Sequence, residues 1–95
     1  MEISASEGII TIKGNIKSIH DFQDIKNLVD GVVAHHKAIT IHIVDSISLT
    51  SSVIGYLNKL VLKDGINIVL KIGNPDLLDL ISDLNLTATF NAKRL

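Results

Sequence analysis

Cysteine is absent from this 95-residue chain. That excludes disulfides, thiolate catalysis and cysteine-ligated zinc. Charge of one sign is not in excess either: nine Lys plus Arg stand against ten Asp plus Glu, for a formal charge of −1. No basic surplus exists to release counterions from DNA or RNA, so nucleic acid is not an expected partner. No apolar run approaches the roughly 18 residues of a membrane span. The start, Met1-Glu2-Ile3-Ser4-Ala5, has no basic segment leading into an apolar one, as a secretory signal would. A cytoplasmic protein with no membrane span is expected. The chain also lacks repeats, low-complexity tracts and Pro/Gly/Ser-rich linkers. What it does have is aliphatic side chains: 46% of residues are hydrophobic and 35 are Ile, Val or Leu. That composition predicts one folded domain over residues 1–95 with a real core.

The periodicity predicts the elements. Glu2–Ser6 and Ile9–Gly14 are short runs meeting at Glu7-Gly8, a β-hairpin signature. Ser18 and Asp21 form a capping-box pattern before a helix marked by Ile19, Phe22, Ile25, Val29, Val32 and Val33, lasting to about His36. Ala38–Asp45 alternates as a strand. Thr50 or Ser51 caps a helix carrying Val53, Ile54, Leu57, Leu60 and Val61, and Gly65 stops it. Ile66–Ile72 is the next strand. Asn74-Pro75-Asp76 opens a helix striped by Leu77, Leu78, Leu80, Ile81 and Leu84. Thr87–Phe90 reads as a last, short strand. The order β-β-α-β-α-β-α-β predicts an α/β domain whose mixed, mostly parallel sheet begins with a hairpin. Isoleucines and leucines occupy one strand face, while Thr11, Lys13, Thr40, His42, Asn67 and Lys71, with Val44 and Val69 among them, occupy the other, which is largely polar. Helices are therefore expected mainly on one side of the sheet.

Catalytic patterns are lacking. The four histidines show no i, i+4 spacing and no completing carboxylate, so no metal site is predicted. The glycines are scattered rather than gathered in a phosphate-binding loop, and no cofactor is implied. No Ser-His-Asp order or paired-carboxylate pattern stands out, so an enzyme is not expected. The informative stretch is Asp45-Ser46-Ile47-Ser48-Leu49-Thr50-Ser51-Ser52-Val53-Ile54-Gly55. It joins the C-terminal end of a strand to the N-terminus of a helix, where α/β domains place functional groups. Five hydroxyls fall within seven residues there, and helix capping needs one of them. The others mark either loop solvation or a phosphoacceptor, because a phosphate at a helix N-terminus meets free amides and the helix dipole.

Thr50-Ser51-Ser52-Val53-Ile54-Gly55-Tyr56-Leu57 resembles the Asp-Ser-Ser-Gly-Leu-Gly motif, followed by apolar helix residues, of the STAS domains typified by bacterial anti-sigma factor antagonists. Gly65-Ile66-Asn67-Ile68-Val69-Leu70, Asn74-Pro75 with its Leu-rich helix, and Leu84-Asn85-Leu86 extend the likeness from the N-terminal hairpin to Phe90. The resemblance implies a non-catalytic interaction module in bacterial signalling and transcription regulation. In that family an anti-sigma factor that is also a serine kinase phosphorylates the second serine of the motif, the dephosphorylated form captures it, and a phosphatase resets the cycle. The matching acceptor is Ser52, with Ser51 beside it. Three positions depart from the family: Thr50 replaces the motif Asp, Val53 the glycine after the acceptor, and His42 a strand carboxylate. The family also continues into a C-terminal helix, for which Lys93-Arg94-Leu95 is too short. Apolar surface left uncovered there would suit a partner or a homodimer.

The expected partner surface is the Ser46–Ser52 loop and the first exposed turn of the helix, comprising Ser46, Ser48, Thr50, Ser51, Ser52, Tyr56 and Lys59. Two alternatives share the fold: an unphosphorylated adaptor in a larger or transporter-associated assembly, and a small domain binding a nucleotide or phosphate through Ser51 and Ser52.

Overall fold

The computed structural model describes residues 1–95. Strands β1 (Glu2–Ser6) and β2 (Ile9–Lys13) form the hairpin; Glu7 and Gly8 both take positive φ, 50° and 84°, as a type I′ turn demands. Helix α1 (Ile19–Val33) starts on Ser18, whose hydroxyl accepts from the Asp21 amide while the Asp21 carboxylate accepts from the Ser18 amide. Strand β3 (Ala38–Ile43) leads to α2 (Ser51–Leu62), capped by Thr50. Strand β4 (Asn67–Ile72) leads to α3 (Pro75–Asp83), where the Asn74 side chain accepts from the amides of Asp76 and Leu77 at 2.8 and 3.2 Å. The chain closes with α4 (Thr87–Phe90) and β5 (Ala92–Arg94).

The end of the chain corrects the sequence reading. Thr87–Phe90 is a helical turn, not a strand, and the last strand lies two residues further on. Helix α3 ends in a Schellman motif: Asn85 is left-handed at φ 58°, the Leu86 amide donates to Ile81 O and the Asn85 amide to Ser82 O. The turn that follows seats the Phe90 ring in the core with no exposure. Left-handed Asn91 then redirects the chain so that Ala92–Arg94 can pair with β4. Burying Phe90 outweighs the strand preference of two β-branched threonines. Helix α1 also stops at Val33, which leaves His35 and His36 in the turn before β3.

The sheet order is β1-β2-β3-β4-β5, with β1–β2 antiparallel and the remaining pairs parallel. Each parallel crossover thus moves one position in the same direction. Right-handed crossovers that all advance the same way lay every helix on the same face. The core lies between the layers. Ile10, Ile12, Ile39, Ile41, Ile43, Ile68, Leu70 and Ile72 from the strands meet Ile25, Val29, Val53, Leu57, Leu60, Leu77, Ile81 and Phe90 from the helices, all buried. Thr11, Thr40, His42, Val69 and Lys71 on the other face stay half-buried, without a covering layer. No helix is long and apolar enough to cross a membrane.

Candidate functional site

The C-terminal ends of β2, β3 and β4 point to one end of the domain, so the loops preceding α1, α2 and α3 and the N-termini of those helices gather there. The first two loops are joined side by side. Gly14 N–H donates to Asp45 Oδ1 at 2.7 Å, Ile16 N–H to Ser46 Oγ at 3.0 Å, and Ile47 N–H to Asn15 Oδ1 at 3.1 Å. The Ser46 hydroxyl donates in turn to Ser48 O at 2.8 Å. Ile16 and Leu49 sink into the core on either side. The loop before α2 is therefore a fixed rim: its Asp45 and Ser46 side chains accept amides of the neighbouring loop, and its Ile47 amide donates to that loop's Asn15.

Of the residues expected to form a partner surface, the structure divides exposed from buried. Ser48, Ser51, Ser52 and Lys59 are exposed. Thr50 is half-buried, and its hydroxyl accepts from the Val53 amide as the N-cap of α2. Ser46 is not on the surface: its exposure is zero, and its hydroxyl latches the two loops together. Tyr56 is also a correction, being buried against α1 with 6% exposure. Its hydroxyl donates to Asp30 Oδ1 at 2.5 Å, its ring meets Phe22 edge-on at 6.2 Å between centroids, and Lys26 Nζ lies 5.7 Å from the ring centre. Tyr56 thus ties α2 to α1 and is not part of the exposed first turn.

Ionisation reflects this seam. Burial, then the hydrogen bond to Asp30 and the negative charges of Asp30 and Asp64, hold the Tyr56 phenol well above its ordinary pKa. Burial works against the charged form of Asp30, but hydrogen bonds from Lys26 and Tyr56, with the charges of Lys26 and Lys59, outweigh it and lower its pKa.

Sequence reasoning did not single out Ile47, which projects from the rim with 62% of its surface exposed. The available signal was an isoleucine belonging to neither a strand nor a helix stripe. A second feature missed is the outer face of α2, where Ser52, Gly55, Lys59 and Leu62 recur at helical spacing and all are exposed. Leu62 is 70% exposed, and a Cβ at Gly55 would meet no atom within 4 Å, so packing does not require the glycine. The result is an exposed strip running from Ser52 down the helix.

Ser51 and Ser52 occupy the first two helical positions of α2, whose amides have no intrahelical acceptor. No acidic side chain lies in that first turn, so nothing fixed offsets the positive end of the dipole. Chemically the rim can accept a phosphoryl group or an anion, and it can present an isoleucine to an apolar partner. His42 lies on the open sheet face and not at the rim. No group of three His, Asp or Glu side chains is arranged to hold a metal. The single surface depression, about 190 Å³ and lined by Glu2, Ile3, Ser4, Thr11 and Lys13, lies on β1 and β2. No family model, curated protein or solved structure matches this chain.

Proposed function

We propose that this chain is a non-catalytic protein-interaction module of the STAS kind, which binds an anti-sigma factor with serine-kinase activity through its rim and is released when Ser52 is phosphorylated. The observation that carries this reading is the exposed Ser51–Ser52 pair in the first turn of α2, on a rim whose backbone is already fixed. A rigid rim loses little conformational freedom on association. Ile47 supplies an apolar contact, and the exposed strip through Gly55, Lys59 and Leu62 continues the surface. A phosphoryl group on Ser52 meets uncapped amides and the helix dipole, so the fold tolerates it. It nevertheless adds nearly two negative charges to the interface, and a partner surface fitted to neutral serines would reject it. The small-ligand alternative is less well supported, because the one depression in the surface is not at Ser51 and Ser52.

Intact-mass measurement on protein isolated from its own cells, with fragmentation to locate the site, is expected to find a fraction one phosphoryl group heavier at Ser52. An unmodified mass across growth conditions would remove the switch and leave the constitutive adaptor. In binding assays with the purified kinase partner, Ser52→Ala should remain bound and Ser52→Asp should lose at least tenfold in affinity. Gly55→Arg projects into open space, so it should keep the fold and block capture. Equal binding by all three would place the interface elsewhere.

A further inference from the structure

The open face of the sheet carries a second surface, independent of the rim. Strand register aligns Ser4, Thr11, His42, Lys71 and Lys93 in one row across all five strands. At about 4.8 Å per strand the row is about 19 Å long. Lys13 stands on the same face opposite Glu2, the only carboxylate on these strands. The protein's ion pairs, Lys26–Asp30 and Lys59–Asp64, both belong to the helix layer, so Lys13, Lys71 and Lys93 have no carboxylate within 4.0 Å. Lys71 and Lys93 are direct cross-strand neighbours, and like charges placed so are destabilising in the free protein. Charge is divided between the layers as well. The strands hold Lys13, Lys71, Lys93 and Arg94 against Glu2, while the helices hold six aspartates against Lys26 and Lys59. Among the lysines lie the half-buried Val69 and the 46% exposed Ile9, which give the face apolar ground to cover.

We infer that this open face docks an acidic protein segment, whose carboxylates neutralise the Lys71–Lys93 pair and Lys13 while its apolar side chains cover Ile9 and Val69. A polypeptide fits better than a nucleic acid. The three residues Phe22, Tyr56 and Phe90 all pack with the helix layer, which leaves the half-buried His42 imidazole as the one ring on this face, and a formal net charge of −1 gives a polyanionic nucleic acid no overall attraction. The site stands apart from the proposed Ser52 switch and would survive its failure.

Fluorescence anisotropy with labelled poly-L-glutamate tests the inference. Wild-type protein is expected to bind, with affinity falling as salt rises, and the double substitution Lys71→Glu/Lys93→Glu should weaken binding at least tenfold. Lys63→Glu, on the helix layer, should change it less than twofold, and Ser52→Asp should leave it unaltered. The single change Lys71→Glu places opposite charges on neighbouring strands, so its Tm should rise, which separates lost binding from lost folding. No binding at low salt would overturn the inference, as would equal losses from Lys63→Glu. Tighter binding of oligothymidine would transfer the face to nucleic acid. A concentration-dependent rise in mass at low salt, abolished by the double substitution without any probe, would transfer it to a second copy of this chain.

Discussion

Gly73 follows β4 at a point where the chain passes against the end of β3. Its amide donates to Ile43 O at 2.9 Å, and a Cβ built on it would lie 2.0 Å from Val44 O. No rotamer relieves that overlap, because the backbone fixes where a Cβ stands and Val44 O is itself a backbone atom. Gly73→Ala must push β3 and β4 apart at their C-terminal ends and should cost about 2 kcal/mol or more, in the range of overpacked cores. A urea midpoint lowered with an unchanged slope would confirm it. In sequence this glycine stood only as the residue before the Asn74 cap; its necessity comes from a neighbour some thirty residues earlier in the chain. Ser46 carries the same lesson in reverse. It reads as one more loop hydroxyl, yet it is wholly buried, where it accepts from Ile16 N–H and donates to Ser48 O.

At the scale of elements, helix starts were legible because capping is local. Ser18 with Asp21, Thr50, and Asn74 with Pro75 all act where the sequence places them. Each needs only residues within three positions of one another. Asn74→Ala removes the acceptor of two amides and should lower stability by about 1 kcal/mol. The loss should appear as faster amide exchange at Asp76 and Leu77, with α1 exchanging as before. If exchange at Asp76 and Leu77 is unchanged, water replaces the cap at no cost. The last strand was misplaced for the opposite reason. Thr87, Thr89 and Phe90 favour extended backbone on their own, and only the cavity that receives Phe90 makes the turn helical.

For the molecule as a whole, the seam between α1 and α2 and the Ser18–Asp21 cap make stability depend on pH. The Tyr56 phenol is raised above its ordinary 10.0, so the unfolded chain releases that proton first. Its contribution is complete below pH 10 and is lost as pH climbs toward the folded value. Tyr56→Phe should cost about 1 kcal/mol at neutral pH and should flatten the alkaline fall of Tm. Asp21 is lowered by backbone hydrogen bonds from Lys17 and Ser18, and Asp30 is lowered through its bonds from Lys26 and Tyr56. These two add stability that is complete above the ordinary 3.8 and disappears as pH falls through their lower folded values. Thermal melts across the acid and alkaline ranges, with and without Tyr56→Phe, check both signs. An alkaline limb identical in the two proteins would mean that the phenol does not govern it.

Alternation along the strands and periodicity along the helices are properties of neighbouring residues. The α/β class, the hairpin and the burial of helices on one sheet face therefore followed from the order of letters. So did the place of Ser51 and Ser52 at the start of α2, directly after the Thr50 cap. Which hydroxyls face outward did not follow, because exposure depends on what arrives from elsewhere in the chain. The loop ending at Ile16 buries Ser46, and α1 covers Tyr56. The basic row is likewise a product of register: Thr11, His42, Lys71 and Lys93 are distant in sequence and become neighbours only when four strands align. Local composition selects the elements, and the long-range packing of side chains decides which of them remain at the surface.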